Sequence, residues 1–98
     1  MPVDRSLSPD EVSRLVQALD GWDLDGASLR RQLVFDSFVQ AFGFMAQVAL
    51  IAERLDHHPN WSNVYNRVDL AITTHDAGGL TAIDFEFARR VDAVLTRA

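Results

Sequence analysis

The chain has 98 residues and 48% hydrophobic content, enough for one core and too little for two. Fourteen acidic residues against nine basic ones give a formal charge of −5, which argues against a nucleic-acid-binding surface. There is no Cys and every basic residue is Arg, which excludes disulfides, thiol nucleophiles, zinc–thiolate sites and lysine chemistry.

No apolar run reaches the roughly 20 residues that cross a bilayer. The start of the chain carries Pro2, Asp4, Arg5 and Asp10, with no apolar signal core. The expectation is a soluble, cytoplasmic protein with no membrane partner.

Met1–Leu7 reads as a loose lead. Ser8-Pro9-Asp10-Glu11 is a helix start: Ser8 can cap, Pro9 suits the first helical position, and Glu11 completes a capping box. Val12, Leu15, Val16 and Leu19 follow at helical spacing, which predicts a helix over Ser8–Leu19. Trp22–Leu24 and Leu29–Phe35 read as strands around an Asp25-Gly26 turn. Leu29, Leu33 and Phe35 share one face of the second strand, and Arg30, Gln32 and Val34 the other, so the sheet is wet on one side.

Asp36–Leu55 is the longest helix candidate. Phe38, Ala41, Phe42, Met45, Val48, Ala49, Ala52 and Leu55 form a stripe at i, i+3, i+4 spacing. Val39, Phe44, Leu50 and Ile51 lie off it. A helix apolar on so many sides cannot hide all of them inside a domain of this size, which points to a second subunit against it.

Pro59 stops that helix. Val64, Val68, Leu70 and Ile72 keep period two, predicting a short strand near Asn63–Tyr65 and a longer one over Arg67–Thr74. Gly78-Gly79 marks a turn within Asp76–Leu80. Thr81-Ala82-Ile83-Asp84 is a second capping box, and Ile83, Phe87, Val91, Val94 and Leu95 give a final helix. The order is α-β-β-α-β-β-α in a single domain, 1–98. It predicts an α+β fold: a four-stranded antiparallel sheet with three helices on one face.

The titratable residues gather in two places. His57 and His58 follow the long helix beside Asp56 and Pro59. His75 stands where the fourth strand runs out, next to Asp76. Imidazole exchanges protons near neutrality, and strand ends are where side chains converge on a ligand. Glu53, Asp56 and Asp76 could orient the rings, and Trp61 and Tyr65 could form a flat wall. Three histidines is also an ordinary count, so separate structural roles fit the pattern too. Three His and a carboxylate can bind zinc, but adjacent histidines would need a loop turning both rings inward, and the helical HExxH spacing is absent.

The stretch Asp56-His57-His58-Pro59-Asn60-Trp61-Ser62-Asn63-Val64-Tyr65-Asn66-Arg67-Val68 resembles the signature of the pterin-4a-carbinolamine dehydratases. So do Thr73-Thr74-His75-Asp76-Ala77-Gly78-Gly79-Leu80-Thr81 with Asp84 following, Phe42-Gly43-Phe44-Met45, and Ala52-Glu53. The resemblance is dense from Phe38 to Asp84. It implies dehydration of 4a-hydroxytetrahydropterin to quinonoid dihydropterin, in recycling of the cofactor of aromatic amino-acid hydroxylases, with no metal or organic cofactor.

By the same resemblance, His57 and His75 are the acid–base pair and His58 a third site histidine. Asp56, Thr73, Thr74 and Asp76 contact the pterin, while Pro59, Trp61 and Asp84 shape its pocket. The family's fold agrees with the one read from the pattern, and its members assemble as dimers or tetramers. An oligomer through the long helix and the sheet edge is therefore expected here. Some members resemble coactivators or assembly factors, which gives the alternative of a protein-binding role.

Overall fold

A computed structural model of the protein describes residues 5–96. Part of the lead expected over Met1–Leu7 lies outside them. The helices are α1 (Pro9–Gln17), α2 (Phe38–Leu55) and α3 (Ala82–Thr96). The strands are β1 (Asp23–Asp25), β2 (Ser28–Val34), β3 (Asn60–Val64) and β4 (Arg67–Ile72). They form one antiparallel sheet in the order β1-β2-β4-β3. The expected α+β architecture and chain order are the observed ones.

The local signals act as chemistry predicts at the start of α1. Ser8 Oγ accepts from the Glu11 N–H, and the Glu11 carboxylate accepts from the Ser8 N–H. Arg5 adds a two-pronged ion pair to Glu11. α2 begins two residues later than Asp36. Ser37 caps it by accepting from the Gln40 N–H, and the Gln40 side chain accepts from the Asp36 N–H.

The two hairpins turn on backbone geometry. The first turn is Gly26-Ala27, one residue beyond the Asp25-Gly26 expected, because Asp25 pairs with Ser28 and only Gly26 takes the positive φ of 60°. The second turn puts Tyr65 at a φ of 52°, uncommon for a bulky side chain. Asn63 Nδ2 holds it there by donating to the carbonyls of Tyr65 and Arg67. Asn66 then ties the hairpin to the end of β2, through reciprocal bonds with the backbone of Phe35.

β3 starts at Asn60, three residues earlier than expected. Asn60-Trp61-Ser62-Asn63-Val64 has no apolar alternation, and its register against β4 defines it. β4 ends at Ile72, and His75–Ala77 form one 3-10 turn, closed by Gly78 at a φ of 77°.

The core lies between the sheet and the helices. Leu29, Val68, Leu70 and Ile72 point inward against Ala41, Phe44, Val48, Ala52, Phe85, Phe87, Ala88 and Val91. Burial of one such side chain contributes roughly 1.5–3 kcal/mol. Arg30, Gln32, Val34 and Arg67 lie exposed on the other side of the sheet, so the alternation along β2 is as expected.

The inner face of α2 is not the stripe expected. Phe44 is 4% exposed and stacks on Phe35 at 5.1 Å, while Phe42 is 59% exposed. Ala41, Phe44, Val48 and Ala52 face the core; Phe38, Val39, Phe42 and Leu50 face outward. α2 is also long and apolar enough to cross a membrane by length and composition, but its inner face packs on β4 and α3. On α3, Phe85 joins the core beside the expected Phe87 and Val91.

A separate clasp fixes the start of the sheet to α3. Trp22 is buried before β1, and its indole N–H donates to Asp92 Oδ1 at 2.8 Å. Arg31 reaches the same oxygen at 3.1 Å and also donates to the Asp20 carbonyl. Gly21 lies flat against that guanidinium: a Cβ there would come within 2.7 Å of it.

Candidate active site

The end of α2 sets the site. Asp56 takes the left-handed conformation (φ 50°, ψ 45°), and its N–H bonds back to the carbonyls of Ala52 and Glu53. His57 N–H also returns to Ala52 O at 3.0 Å. Asp is among the few non-glycine residues that tolerate this geometry at a helix end. The carboxylates bonded to the two imidazoles are those of Asp84 and Glu53, and the Asp56 side chain is exposed.

The two adjacent histidines take different carboxylates. His57 Nε2 lies 2.5 Å from Oδ1 of Asp84, which is 0% exposed at the third position of α3. His58 Nε2 lies 2.5 Å from Oε1 of Glu53, and both of these side chains are more than half exposed. His58 is thus bound to the end of its own helix, and only His57 is tied into the interior.

Asp84 is the hub of that interior network. Its Oδ2 accepts from the Thr74 hydroxyl at 2.8 Å and from the Thr81 N–H at 2.9 Å. Ionised Asp84 can only accept, so the three partners around it act as donors. His57 therefore carries its proton on Nε2 when neutral, leaving Nδ1 as the ring atom free to take up or, once protonated, deliver a proton.

The capping box expected at Thr81–Asp84 is half formed. The Asp84 carboxylate reaches the Thr81 N–H, as the box requires. The Thr81 hydroxyl does not return the bond: Asp84 N–H goes to the Thr81 carbonyl, and Thr81 Oγ1 lies 3.0 Å from Thr74 Oγ1. The buried hydroxyl of Thr74, brought in by the end of β4, displaces the usual partner.

Thr74 joins the second histidine to the first. It lies 3.5 Å from His57 Nε2 and directly precedes His75, which opens the 3-10 turn with its side chain exposed. Asp76 is the next residue of that turn and is also exposed. Thr73 faces the other way, donating to the Ala27 carbonyl at 2.5 Å. Trp61 pairs with Leu70 on the helix-facing side of the edge strand, 38% exposed, and Pro59 is half-buried just before it. The structure thus joins His57, Thr74 and Asp84 in one network, with His75 next to Thr74 in the chain and exposed, and leaves His58 and Thr73 bonded outside it. Thr81 and Glu53 complete the bonding. Glu53 stands among the carboxylates able to orient an imidazole in the sequence, and the three-residue spacing of Thr81 and Asp84 is the signal for the other.

Among the described residues, no three His, Asp or Glu side chains are grouped to hold a metal ion.

Residues 5–94 match the family model for pterin 4 alpha carbinolamine dehydratase. A Mesorhizobium japonicum protein with a provisional pterin-4-alpha-carbinolamine dehydratase name is 50% identical over 88 residues, 88% of this chain and 90% of its own. A Synechococcus protein with the same name is 48% identical over 88 residues, 90% of this chain and 95% of its own. The crystal structure of a transcriptional coactivator/pterin dehydratase from Brucella melitensis superposes with a TM-score of 0.88 at 47% identity, covering 92% of this chain and 98% of that one. A pterin dehydratase-like protein described as a RuBisCO assembly factor in the alpha-carboxysome gives a TM-score of 0.66 at 26% identity, covering 76% and 89%. Fold and site define an α+β domain built around histidines on strand and helix ends. The chain belongs to the pterin-4a-carbinolamine dehydratase family.

Proposed function

We propose that this protein removes water from 4a-hydroxytetrahydropterin, giving quinonoid dihydropterin, by acid–base catalysis at His57 and His75. In that reaction the C4a–O bond breaks, the N5 proton is lost, a C4a=N5 double bond forms and one water leaves. One imidazole protonates the departing hydroxyl and the other takes the N5 proton, an assistance worth typically 10²–10⁴-fold. No metal or organic cofactor is invoked.

The observation that carries this reading is the buried Asp84 carboxylate. It fixes the outward ring atom of His57 and, through Thr74, shares its network with the turn that bears His75. Cofactor recycling for aromatic amino-acid hydroxylases, and a cytoplasmic location, belong to the same reading. The test is the loss of 4a-hydroxytetrahydropterin absorbance with wild type and with a His57→Ala/His75→Ala double variant. Acceleration by wild type alone supports the proposal; no acceleration by wild type rejects it.

A second reading is a protein-binding role, favoured by the exposed Phe38, Val39, Phe42 and Leu50 on α2 and by what the Brucella melitensis and carboxysome proteins are described as doing. The first occupant proposed for that face is a second copy of the chain, because several large apolar side chains exposed along one helix of a small domain mark an interaction surface. The unguarded β3 edge, which carries no charged or proline residue, is a second contact between copies. Sedimentation velocity decides: wild type should run above the 11.0 kDa monomer, and Phe42→Asp should lower it.

A further inference from the structure

We propose that the open face of the sheet carries a binding site for a guanidinium group, built on the Asp69 carboxylate and the hollow above Ala71. This face is turned away from the helices and from Asp84, so the site stands or falls independently of the dehydratase reading.

The strand register assembles it. Asp69 is in the middle of β4, between Gln32 of β2 and Ser62 of β3. Two residues on, Ala71 lies between Arg30 and Asn60. Cross-strand partners share a face, and Val68, Leu70 and Ile72 are buried toward the helices, so these six side chains point outward. The small side chain of Ala71 leaves a hollow of about 330 Å³, bordered by Asp25, Arg30, Asn60, Ser62 and Asp69. That volume is at the small end of ligand pockets.

The charges around the hollow do not balance. Arg30 reaches Asp25 at 3.7 Å, and those two offset each other. Asp69 is left over. Its Oδ1 is closed off from solvent and has no hydrogen-bond partner among the described residues, although Gln32 and Ser62 stand directly opposite. A carboxylate only accepts, and an oxygen withdrawn from water without a donor is destabilising. The flanking Arg30, Gln32 and Ser62 are exposed. A donor arriving from solvent therefore displaces surface side chains and no part of the core.

A planar cation with several donors answers this arrangement. A guanidinium presents two parallel N–H groups to a carboxylate, and such charge-assisted bonds are about twice as strong as neutral ones. Its remaining N–H groups meet the Asn60 amide oxygen and the Ser62 hydroxyl on the same lining. A metal ion is a poorer match, because no three His, Asp or Glu side chains gather among the described residues. The group can arrive on a small free molecule or as the arginine side chain of a protein, with the same chemistry.

The test is amide-resolved NMR of the full chain, titrated with ethylguanidinium, with a blocked glycine-arginine-glycine peptide, and with urea as an uncharged control of similar shape. Ethylguanidinium should give saturable shifts at Arg30, Ser62, Asp69 and Ala71 that weaken as salt is added. Asp69→Asn should lower the affinity about 10-fold or more. Ala71→Leu, which fills the hollow and keeps the charge, should abolish binding. A peptide that binds about 10-fold tighter than ethylguanidinium assigns the site to a protein's arginine, and equal affinity assigns it to a free guanidine. No saturable shift with either cation means that Arg30 or Arg67 meets Asp69 within the chain, and overturns the proposal. A urea response equal to that of ethylguanidinium overturns it too. So does unchanged binding in Ala71→Leu shown by circular dichroism to be folded, and that variant decides alone if Asp69→Asn does not fold.

Discussion

His57 and His58 are neighbours in the chain but bond carboxylates on different helices, Asp84 on α3 and Glu53 on α2. The left-handed turn at Asp56 allows this, because it ends α2 just before the two rings diverge. One imidazole is thereby made part of the interior and the other part of the surface, and their substitutions should differ accordingly.

Asp84→Asn keeps the shape of the carboxyl group and removes its charge. An amide can offer its N–H to Nε2, which favours the opposite ring tautomer. The expected loss in kcat is about 10²-fold or more, with an unchanged circular dichroism spectrum. Activity within threefold of wild type would remove Asp84 from the mechanism. Acid–base catalysis by imidazoles also predicts a bell-shaped pH–rate profile in wild type; a flat profile between about pH 5.5 and 8.5 contradicts it.

Glu53→Gln leaves His58 without its carboxylate on an exposed surface. Water and salt screen such pairs, so stability should fall by less than about 1 kcal/mol, and the difference should shrink in high salt. Urea unfolding at two ionic strengths checks this. A large, salt-independent loss would mean that the pair is shielded by something absent from the isolated chain.

Glu11 carries the acid sensitivity of α1. The hydrogen bond from Arg5, then that from the Ser8 backbone, hold its carboxyl down to about 2 from the ordinary 4.5. A carboxylate depressed in the folded state contributes stability above its unfolded value and loses it as pH falls toward the folded one. The capped end of α1 should therefore be fully held above pH 4.5 and released progressively down to about pH 2. Amide signals of Ser8 and Glu11 should move in that window. In Glu11→Gln they should not; persistence of the transition there would assign it elsewhere.

Asp92→Ala should strip the acceptor from the buried Trp22 indole and from Arg31. An orphaned buried donor costs roughly 1–3 kcal/mol. The expected fall in the thermal midpoint is about 4–8 °C for each kcal/mol in a domain of this size. Asp92→Asn, which keeps an acceptor oxygen, should lose less. Equal losses for the two would mean that charge, not the hydrogen bond, holds the clasp.

Much of this architecture is legible in the residues, for identifiable reasons. Ser8, Pro9 and Glu11 settle the start of α1 among themselves, because a capping box is complete within four residues. The faces of β2 follow from strict alternation. Periodicity could not choose Phe44 over Phe42, because α2 is apolar on overlapping sides and only the sheet and α3 decide which side is covered. The start of β3 is equally invisible, since Asn60–Val64 acquires its identity from the register with β4. At the site, the motif marks His57, Thr74, His75 and Asp84. The diversion of the Thr81 hydroxyl away from its own helix depends on Thr74 arriving from β4, which no local pattern announces. The asparagines of the same motif prove architectural, with Asn63 and Asn66 holding a hairpin.

The strand order has a consequence in time. The central pair of the sheet joins Leu29 to Ile72, so the chain must pass through α2 and β3 before β2 acquires its second partner. Both hairpins close locally, but this pairing bears the entropy of a long loop and should set the folding rate. The acceptor for His57 lies 27 residues further along. During synthesis both adjacent histidines therefore emerge well before the carboxylate that orders one of them. A chain stopped short of Asp84 would keep Glu53 for His58 and hold no carboxylate for His57.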